Sequence, residues 1–295
     1  MTLLDGKQLS AMIKAEIAER VTARVAAGHR APHLAAVLVG ENPASQVYVR
    51  NKVRSCERVG FDSTLIRLEA TTTEAALLDQ VRALNENPAI DGFIVQLPLP
   101  DHINEHQVTL AIDPAKDVDG FHPINFGLMA QGLPCYLPAT PYGIVQMLER
   151  YGIETSGKHA VVVGRSNIVG TPMSILLSRK SQTGNCTVTL THSRTKDLAA
   201  EVRRADIVVA AIGIPNFITA NMVKEGAVVI DVGINRVEDA QAKRGYRLVG
   251  DVDFAAVAPK CSHITPVPGG VGPMTVTSLL LNTLQACEQR EKGND

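Results

Sequence analysis

Short β-branched apolar runs alternate with segments of helical period along most of this chain. That alternation restricts it to mostly parallel sheets with helices on both faces. Leu9, Met12, Ile13, Ile17, Val21 and Val25 recur at helical spacing and predict a first helix over residues 7–28, with Gly28 as its C-cap. Leu34 to Val39 reads as a buried strand, Gly40 to Ser45 as a turn, and Val47 to Val59 as a helix ending at Gly60. A strand near Thr64 to Leu68, a helix from Thr73 to Leu84 and a strand from Gly92 to Gln96 complete this series. Pro98 and Pro100 cannot continue a ladder, so Gln96 falls at the carboxyl end of its strand. Open α/β sheets bind ligands at that edge, which makes Gln96 a site candidate; a strand-end amide that only caps backbone groups is the alternative.

A helix opened by Pro138 to Pro141 and reaching Leu148 marks the expected domain boundary. A second series follows, with strands 160–163, Thr187 to Thr191, Ile207 to Ala211 and Ala227 to Val232, and helices 171–180 and 196–203. Four strands with crossover helices predict a small Rossmann-like domain. Its first turn is the most informative. Gly164 allows a tight corner, Ser166 offers a hydroxyl, Gly170 lets helix approach strand, and Pro172 suits a first helical turn whose free N–H groups would face an anion. Serine stands at the second glycine position of the usual dinucleotide fingerprint and the last glycine is displaced by one, so a βα turn that binds nothing stays open.

Between Ile264 and Met274 the density of Pro and Gly predicts an ordered loop without a regular element. The last helix, about Thr275 to Glu288, is expected to return to the first domain. The resulting division is 1–140 plus 275–295, and 141–274.

At 295 residues two domains of about 120 to 170 residues are the natural expectation. A formal net charge of -1 with no polybasic patch argues against nucleic acid or anionic lipid as the main partner. Cys56, Cys135, Cys186, Cys261 and Cys287 are scattered and odd in number, which indicates neither a disulfide framework nor a zinc ribbon and fits a reducing cytoplasm. No apolar run approaches the ~20 residues that span a bilayer, and the N-terminus carries Asp5 and Lys7 with no apolar stretch behind them, so an untargeted soluble chain is expected.

Tyr48 and Lys52 stand four apart on one face of the second helix, with Ser45 at its N-terminal end. A lysine on an amphipathic helix is ordinarily just solvated. The run from His102 to His106 matches the H-x-x-E-H pattern of a zinc peptidase family. It follows two prolines at a strand end, and no downstream acidic helix offers a third ligand, so the expectation is no metal.

Five separated stretches carry a resemblance that no single one of them would. They are Val39 to Lys52 (V-G-E-N-P-A-S-Q-V-Y-V-R-N-K), Asp91 to Pro100 (D-G-F-I-V-Q-L-P-L-P), Lys116 to Pro123 (K-D-V-D-G-F-H-P), Gly164 to Gly170 (G-R-S-N-I-V-G) and Pro266 to Thr275 (P-V-P-G-G-V-G-P-M-T). In this order, over nearly the whole chain, they resemble the bifunctional methylenetetrahydrofolate dehydrogenase/cyclohydrolase family.

The resemblance implies two three-layer α/β domains, the second Rossmann-like, with the active-site cleft between them. It implies an enzyme, commonly a homodimer, that oxidises 5,10-methylenetetrahydrofolate with NADP and hydrolyses the methenyl product to 10-formyltetrahydrofolate. By matching positions, Lys52 is the acid/base, Tyr48 its neighbour, Gln96 its positioner and Asp119 the pterin holder. Ser45, Pro266 and Gly270 complete the folate contacts, and Gly164, Arg165, Ser166, Ser193 and Ile234 meet the dinucleotide. One carboxylate can accept both neighbouring pterin N–H groups. Asp117 competes with Asp119 for that part, and the motif favours Asp119, leaving Asp117 and Lys116 to hold the turn or meet solvent. The chain departs from the family pattern at Ala139, where cysteine is frequent, and in a long 180–185 loop. Another NAD(P)-dependent oxidoreductase of a small carbonyl substrate, or a nucleotide sensor without catalysis, are the alternatives; neither needs Tyr48, Lys52, Gln96 and Asp119 together. With no P-loop and too short a chain for a ligase domain, trifunctionality is not expected.

Overall fold

The computed structural model describes residues 1–242 and 245–292. In chain order the elements are β1 (Thr2–Leu3), α1 (Gly6–Ala26), β2 (His33–Val39), α2 (Pro43–Val59), β3 (Asp62–Leu68), α3 (Glu74–Glu86), β4 (Gly92–Val95), α4 (Glu105–Ala111), α5 (Pro123–Gln131) and α6 (Ala139–Arg150). There follow β5 (His159–Val163), α7 (Gly170–Ser178), β6 (Thr187–Thr191), α8 (Leu198–Arg203), β7 (Ile207–Ala210), β8 (Val228–Asp231), β9 (Asn235–Glu238), β10 (Tyr246–Val249), α9 (Phe254–Val257), β11 (His263–Ile264) and α10 (Val271–Lys292). The chain divides into two units, one of Ala11–Ala139 with Val276–Asp295, the other of Met1–Ser10 with Thr140–Thr275.

In the structure the first ten residues group with the unit of Thr140–Thr275, whereas the expected division has them in the first domain. They join the second unit because β1 pairs in parallel with β11, Thr2 opposite His263 and Leu3 opposite Ile264. Leu4 N–H continues that ladder to Ile264 O at 2.8 Å, and Lys7 N–H reaches Gly269 O at 3.0 Å. Gly6 is obligatory here, since a Cβ on it would run into the Gly270 carbonyl. Residues 293–295, assigned above to the first domain, lie outside the described residues.

The unit of Ala11–Ala139 is built on a parallel three-stranded sheet, order β3-β2-β4. The central strand β2 is almost wholly buried, which suits its continuous apolar run. Val37, Leu77, Val81, Phe93 and Val108 form the core on the α3 and α4 side. Asp91, fully buried, accepts a fork from the Arg30 guanidinium at 2.7 and 2.5 Å, while Gly92 leaves room for Val118. In α10, Asn282 Nδ2 donates to Val118 O and Leu137 O, both at 2.8 Å, fastening the C-terminal helix to this unit.

The other unit carries a parallel six-stranded sheet, order β1-β11-β8-β7-β5-β6. Four strands were expected; β1 and β11 are two residues each and have no sequence period of their own. The β9–β10 hairpin was likewise not foreseen. The chain leaves β5 for β6 on one side and later returns to β7 on the other, so the strand order reverses at β5. The core beneath is apolar, with Val161, Val163, Val208, Val229 and Ile264 fully buried.

Helix bounds differ from the reading in three informative places. α2 starts at Pro43 because proline is at home in a first turn, which makes Ser45 helical rather than part of the turn. α10 starts at Val271, so the loop expected as far as Met274 stops short; Pro273 also falls within a first turn, where no N–H is needed. α5 was missed outright; the His122 ring caps it by accepting Ile124 N–H at 3.1 Å.

Candidate active site

Lys52 is brought to the carboxyl end of β4 by α2, whose Cys56 and Val59 are buried. Its side chain is only 8% exposed, and Nζ donates to Gln96 Oε1 at 3.2 Å. Gln96 is held at both ends: its N–H donates to Val37 O at 2.9 Å, and its Nε2 to Leu97 O at 2.7 Å. Tyr48 lies one turn earlier on α2 and is 43% exposed, while Ser45 is buried and donates its N–H to Asn42 Oδ1 at 3.1 Å. Lys52 is thus not the solvated surface lysine that its helix alone suggests.

The two aspartates of the Lys116 to Pro123 turn have opposite surroundings. Asp117 is buried and accepts from His122 N–H at 2.7 Å, Asn125 Nδ2 at 2.9 Å and Phe121 N–H at 3.3 Å. Burial pushes its carboxyl up to about 6. Lys116 donates to Leu84 O at 2.8 Å and Asn87 O at 2.7 Å, closing the end of α3. Both residues therefore hold the turn. Among the described residues no donor reaches the Asp119 carboxylate. Asp119 lines a small pocket with Val95, Leu97, Phe93 and Phe121, and so opens beside the residues that flank Gln96. The Lys52–Gln96 contact lies at the carboxyl end of β4, and the uncommitted Asp119 carboxylate lines a pocket formed in part by Val95 and Leu97, on either side of Gln96.

His102 and His106 do not converge on anything comparable. His102 Nε2 meets Thr72 O at 2.8 Å, and Glu105 Oε1 turns back to accept Leu99 N–H at 3.0 Å. Among the described residues no group of three His, Cys, Asp or Glu has metal-binding geometry. Nor is any described helix long and apolar enough to cross a membrane.

In the other unit, Gly164 follows β5 where the strand order reverses, the place where open α/β sheets take a nucleotide. Its φ is +114°, and a Cβ on it would strike Ala211 O. A Cβ on Gly170 would strike Gly164 O. The cradle can be formed only by glycines at these two positions. The first N–H groups of α7 are not free, however, which corrects the expectation of a bare helix terminus. Ser166 Oγ accepts from Val169 N–H at 3.2 Å and Gly170 N–H at 3.5 Å, and Ser166 O accepts Thr171 N–H at 3.0 Å. What remains for an anion is the exposed loop Arg165 to Ile168 with the Ser166 hydroxyl hydrogen and the Arg165 guanidinium. Ser193, beyond β6, and Ile234, beyond β8, are both exposed. These residues fit a phosphate-bearing dinucleotide. Pro266 and Gly270 sit between β11 and α10, and Gly270 is packed against Thr265 and Pro266 O so closely that a side chain would not fit.

Asp231 and Asp251 were not singled out from the sequence. Their roles rest on contacts between loops, for which D-x-G at 231–233 and G-D at 250–251 were the only local signal.

Residues 4–119 match the family description "Tetrahydrofolate dehydrogenase/cyclohydrolase, catalytic domain", and residues 138–291 its "NAD(P)-binding domain". The Bifunctional protein FolD of Flavobacterium johnsoniae is 60% identical over 294 residues, covering 100% of both chains. The crystal structure of the FolD methylenetetrahydrofolate dehydrogenase/cyclohydrolase of Campylobacter jejuni superposes with a TM-score of 0.92 at 47% identity, over 98% of this chain and 99% of that one. That of Trypanosoma brucei, complexed with NADP cofactor and inhibitor, gives 0.92 at 38% identity over 98% of each. Two family matches that together span most of the sequence, and a full-length relative at this identity, agree with the strand-edge geometry: the chain is an enzyme of the tetrahydrofolate dehydrogenase/cyclohydrolase family.

Proposed function

We propose that the chain oxidises 5,10-methylenetetrahydrofolate with NADP and hydrolyses the resulting 5,10-methenyltetrahydrofolate to 10-formyltetrahydrofolate, with Lys52 as the proton-handling group of the hydrolysis. The observation that carries this is the buried Lys52 ammonium held on Gln96 Oε1 at 3.2 Å, with the uncommitted Asp119 carboxylate in a pocket lined by Val95 and Leu97, the neighbours of Gln96. Asp119 accepts the paired pterin N–H groups, which fixes the ring. Tyr48 lies over the folate one helical turn from Lys52. Ser45, Pro266 and Gly270 are proposed as further folate contacts.

The dinucleotide, when bound, accepts hydride from the one-carbon group. Gly164, Arg165, Ser166, Ser193 and Ile234 are proposed to hold it. Lone pairs of the tetrahydrofolate nitrogens drive hydride departure, so this step depends mainly on alignment. Hydrolysis requires more of the protein. Water adds to the methenyl carbon, loses a proton, and a ring nitrogen must then leave protonated. Lys52 can donate and accept that proton while Gln96 keeps Nζ in register.

The purified protein given methylenetetrahydrofolate and NADP should form reduced nucleotide, and given methenyltetrahydrofolate alone it should consume it. An oxidoreductase of another small carbonyl substrate would do neither. By the same resemblance we infer a cytoplasmic homodimer without a nucleic-acid partner; sedimentation equilibrium would return twice the chain mass.

A further inference from the structure

Two carboxylates lie buried at the carboxyl edge of the six-stranded sheet with no ion pair among the described residues. Asp231 ends β8 and is 3% exposed; Asp251 follows β10 and is fully buried. Each is seated against the other's neighbouring glycine. A Cβ on Gly250 would overlap the Asp231 carboxylate, and one on Gly233 would overlap that of Asp251.

Their donors are backbone and amide groups. Asp231 Oδ1 accepts from Asp251 N–H at 2.9 Å and Gly233 N–H at 3.0 Å, and its Oδ2 from Val252 N–H at 2.9 Å. Asp231 thereby fixes the turn that carries Asp251. Asp251 Oδ2 accepts from Ile212 N–H at 2.7 Å and Gly213 N–H at 2.9 Å, and its Oδ1 from Asn235 Nδ2 at 2.9 Å. One side chain thus ties the loop after β7 to Asn235 at the start of β9, the residue that follows Ile234 in the loop after β8. Gly164 is packed directly against Ala211 and Ile212, so the loop after β5 leans on the same assembly.

We propose that Asp251 is a positioning residue for the dinucleotide: it pre-forms the edge made by the loops after β5, β7 and β8, without itself touching the cofactor. This rests on the reading that the dinucleotide lies along Gly164, Arg165 and Ile234. Pre-formed edges bind more tightly because the loops need not be ordered on binding. A carboxylate is required because it only accepts, and its three donors leave no place for a hydrogen. Asparagine at 251 would keep Oδ1 on the Ile212 and Gly213 amides, but the charge that holds all three donors is gone, and its Nδ2 can pair with Asn235 only if that amide flips to offer Oδ1. Exchanging the pair, Asp251→Asn with Asn235→Asp, returns a carboxylate to that contact with no flip needed.

The test is the NADP dissociation constant of the full chain by calorimetry, at a temperature where circular dichroism shows every variant folded. Asp251→Asn should weaken NADP at least about tenfold, the order expected for a disrupted charged hydrogen-bond set, and the exchanged pair should recover most of that. A purely structural lesion would lower the melting temperature or the stoichiometry and leave the affinity of the folded fraction unmoved. Unchanged affinity in Asp251→Asn, or no recovery in the exchanged pair, overturns the proposal. Should Asp251→Asn not fold, Asn235→Ala carries the test: a loss of about threefold or more supports it, and parental affinity overturns it. Arg165→Ala separates the two levels. If it weakens NADP while Asp251→Asn does not, the positioning role falls and the cofactor reading stands. If Arg165→Ala is without effect while the 251 and 235 variants behave as stated, Asp251 keeps its role and Arg165 loses its own.

Discussion

The Lys52 ammonium donates to Oε1 of Gln96 across 3.2 Å, and Gln96 cannot present its other end because Nε2 is engaged by Leu97 O at 2.7 Å. The lysine therefore rests on a neutral acceptor of fixed orientation. A carboxylate there would hold the ammonium in an ion pair, whereas an amide oxygen locates it without a second charge.

Lys52→Met keeps much of the stem and removes the transferable proton. Hydrolysis of methenyltetrahydrofolate should fall by about 10² to 10⁴, the usual worth of general acid-base catalysis, and the dehydrogenase rate by much less. Both rates are measured on the same folded preparation. Near-normal hydrolysis would exclude Lys52 as the acid/base; equal loss of both would mean it only positions substrate.

Asp119→Asn should weaken folate binding at least tenfold and leave NADP affinity in place. The amide presents a donor where the pterin also donates, and a lost charged hydrogen bond costs about 1.5 to 3 kcal/mol. Calorimetric titration with a folate analogue and, separately, with NADP distinguishes the pockets. Reduced NADP affinity with folate intact would place Asp119 elsewhere.

The regular elements most open to sequence reading were those whose burial is local. β6 lies at Thr187–Thr191 as the apolar period has it, and α3 begins after its Thr73 cap. What escaped depends on distant partners. β1 is a strand only because β11 lies beside it. α5 lacks an apolar period and contains Gly127; it is fixed by the His122 cap and the Asn125 bond to Asp117. In the site, residue types alone left Lys52 a solvated lysine. The role proposed for it comes from resemblance, and its burial beside Gln96 depends on a contact 44 residues away. The motif favours Asp119 over Asp117, and what no spacing reveals is the set of three donors that commits Asp117 to its turn.

Asp117 also gives a pH dependence with a definite sign. Burial raises its carboxyl from 3.8 to about 6 in the folded chain, against the pull of its three donors. A group whose folded value is raised binds its proton more tightly folded than unfolded. Its contribution is complete below 3.8 and is lost as pH rises through about 6. An asparagine at this position cannot ionise, so the stability lost in Asp117→Asn should be larger at pH 4 than at pH 7. Urea unfolding of both proteins at the two pH values reads the difference directly. A gap that widens toward pH 7 would show that the ionised carboxylate is the form the turn prefers.

The dinucleotide preference follows from the residues beyond β6. NAD-specific Rossmann folds place an acid after the second strand to bind the ribose 2′-hydroxyl. Here β6 is followed by His192, Ser193, Arg194 and Thr195, and their turn is closed by His192 N–H on Thr195 Oγ1 at 2.9 Å. The first acid is Asp197, and it is committed elsewhere: it caps α8 through Ala200 N–H at 3.0 Å and faces Arg203 at 3.9 Å. This stretch thus leaves no carboxylate to repel a 2′-phosphate, while Ser193, Arg194 and Arg165 are exposed and can donate to one. Charge-assisted bonds to phosphate are roughly twice as strong as neutral ones, so kcat/KM with NADP should exceed that with NAD by at least about tenfold. Ser193→Ala with Arg194→Ala should narrow the ratio chiefly by raising KM for NADP. Equal values for the two cofactors in the parent, or a preference for NAD, would refute this assignment.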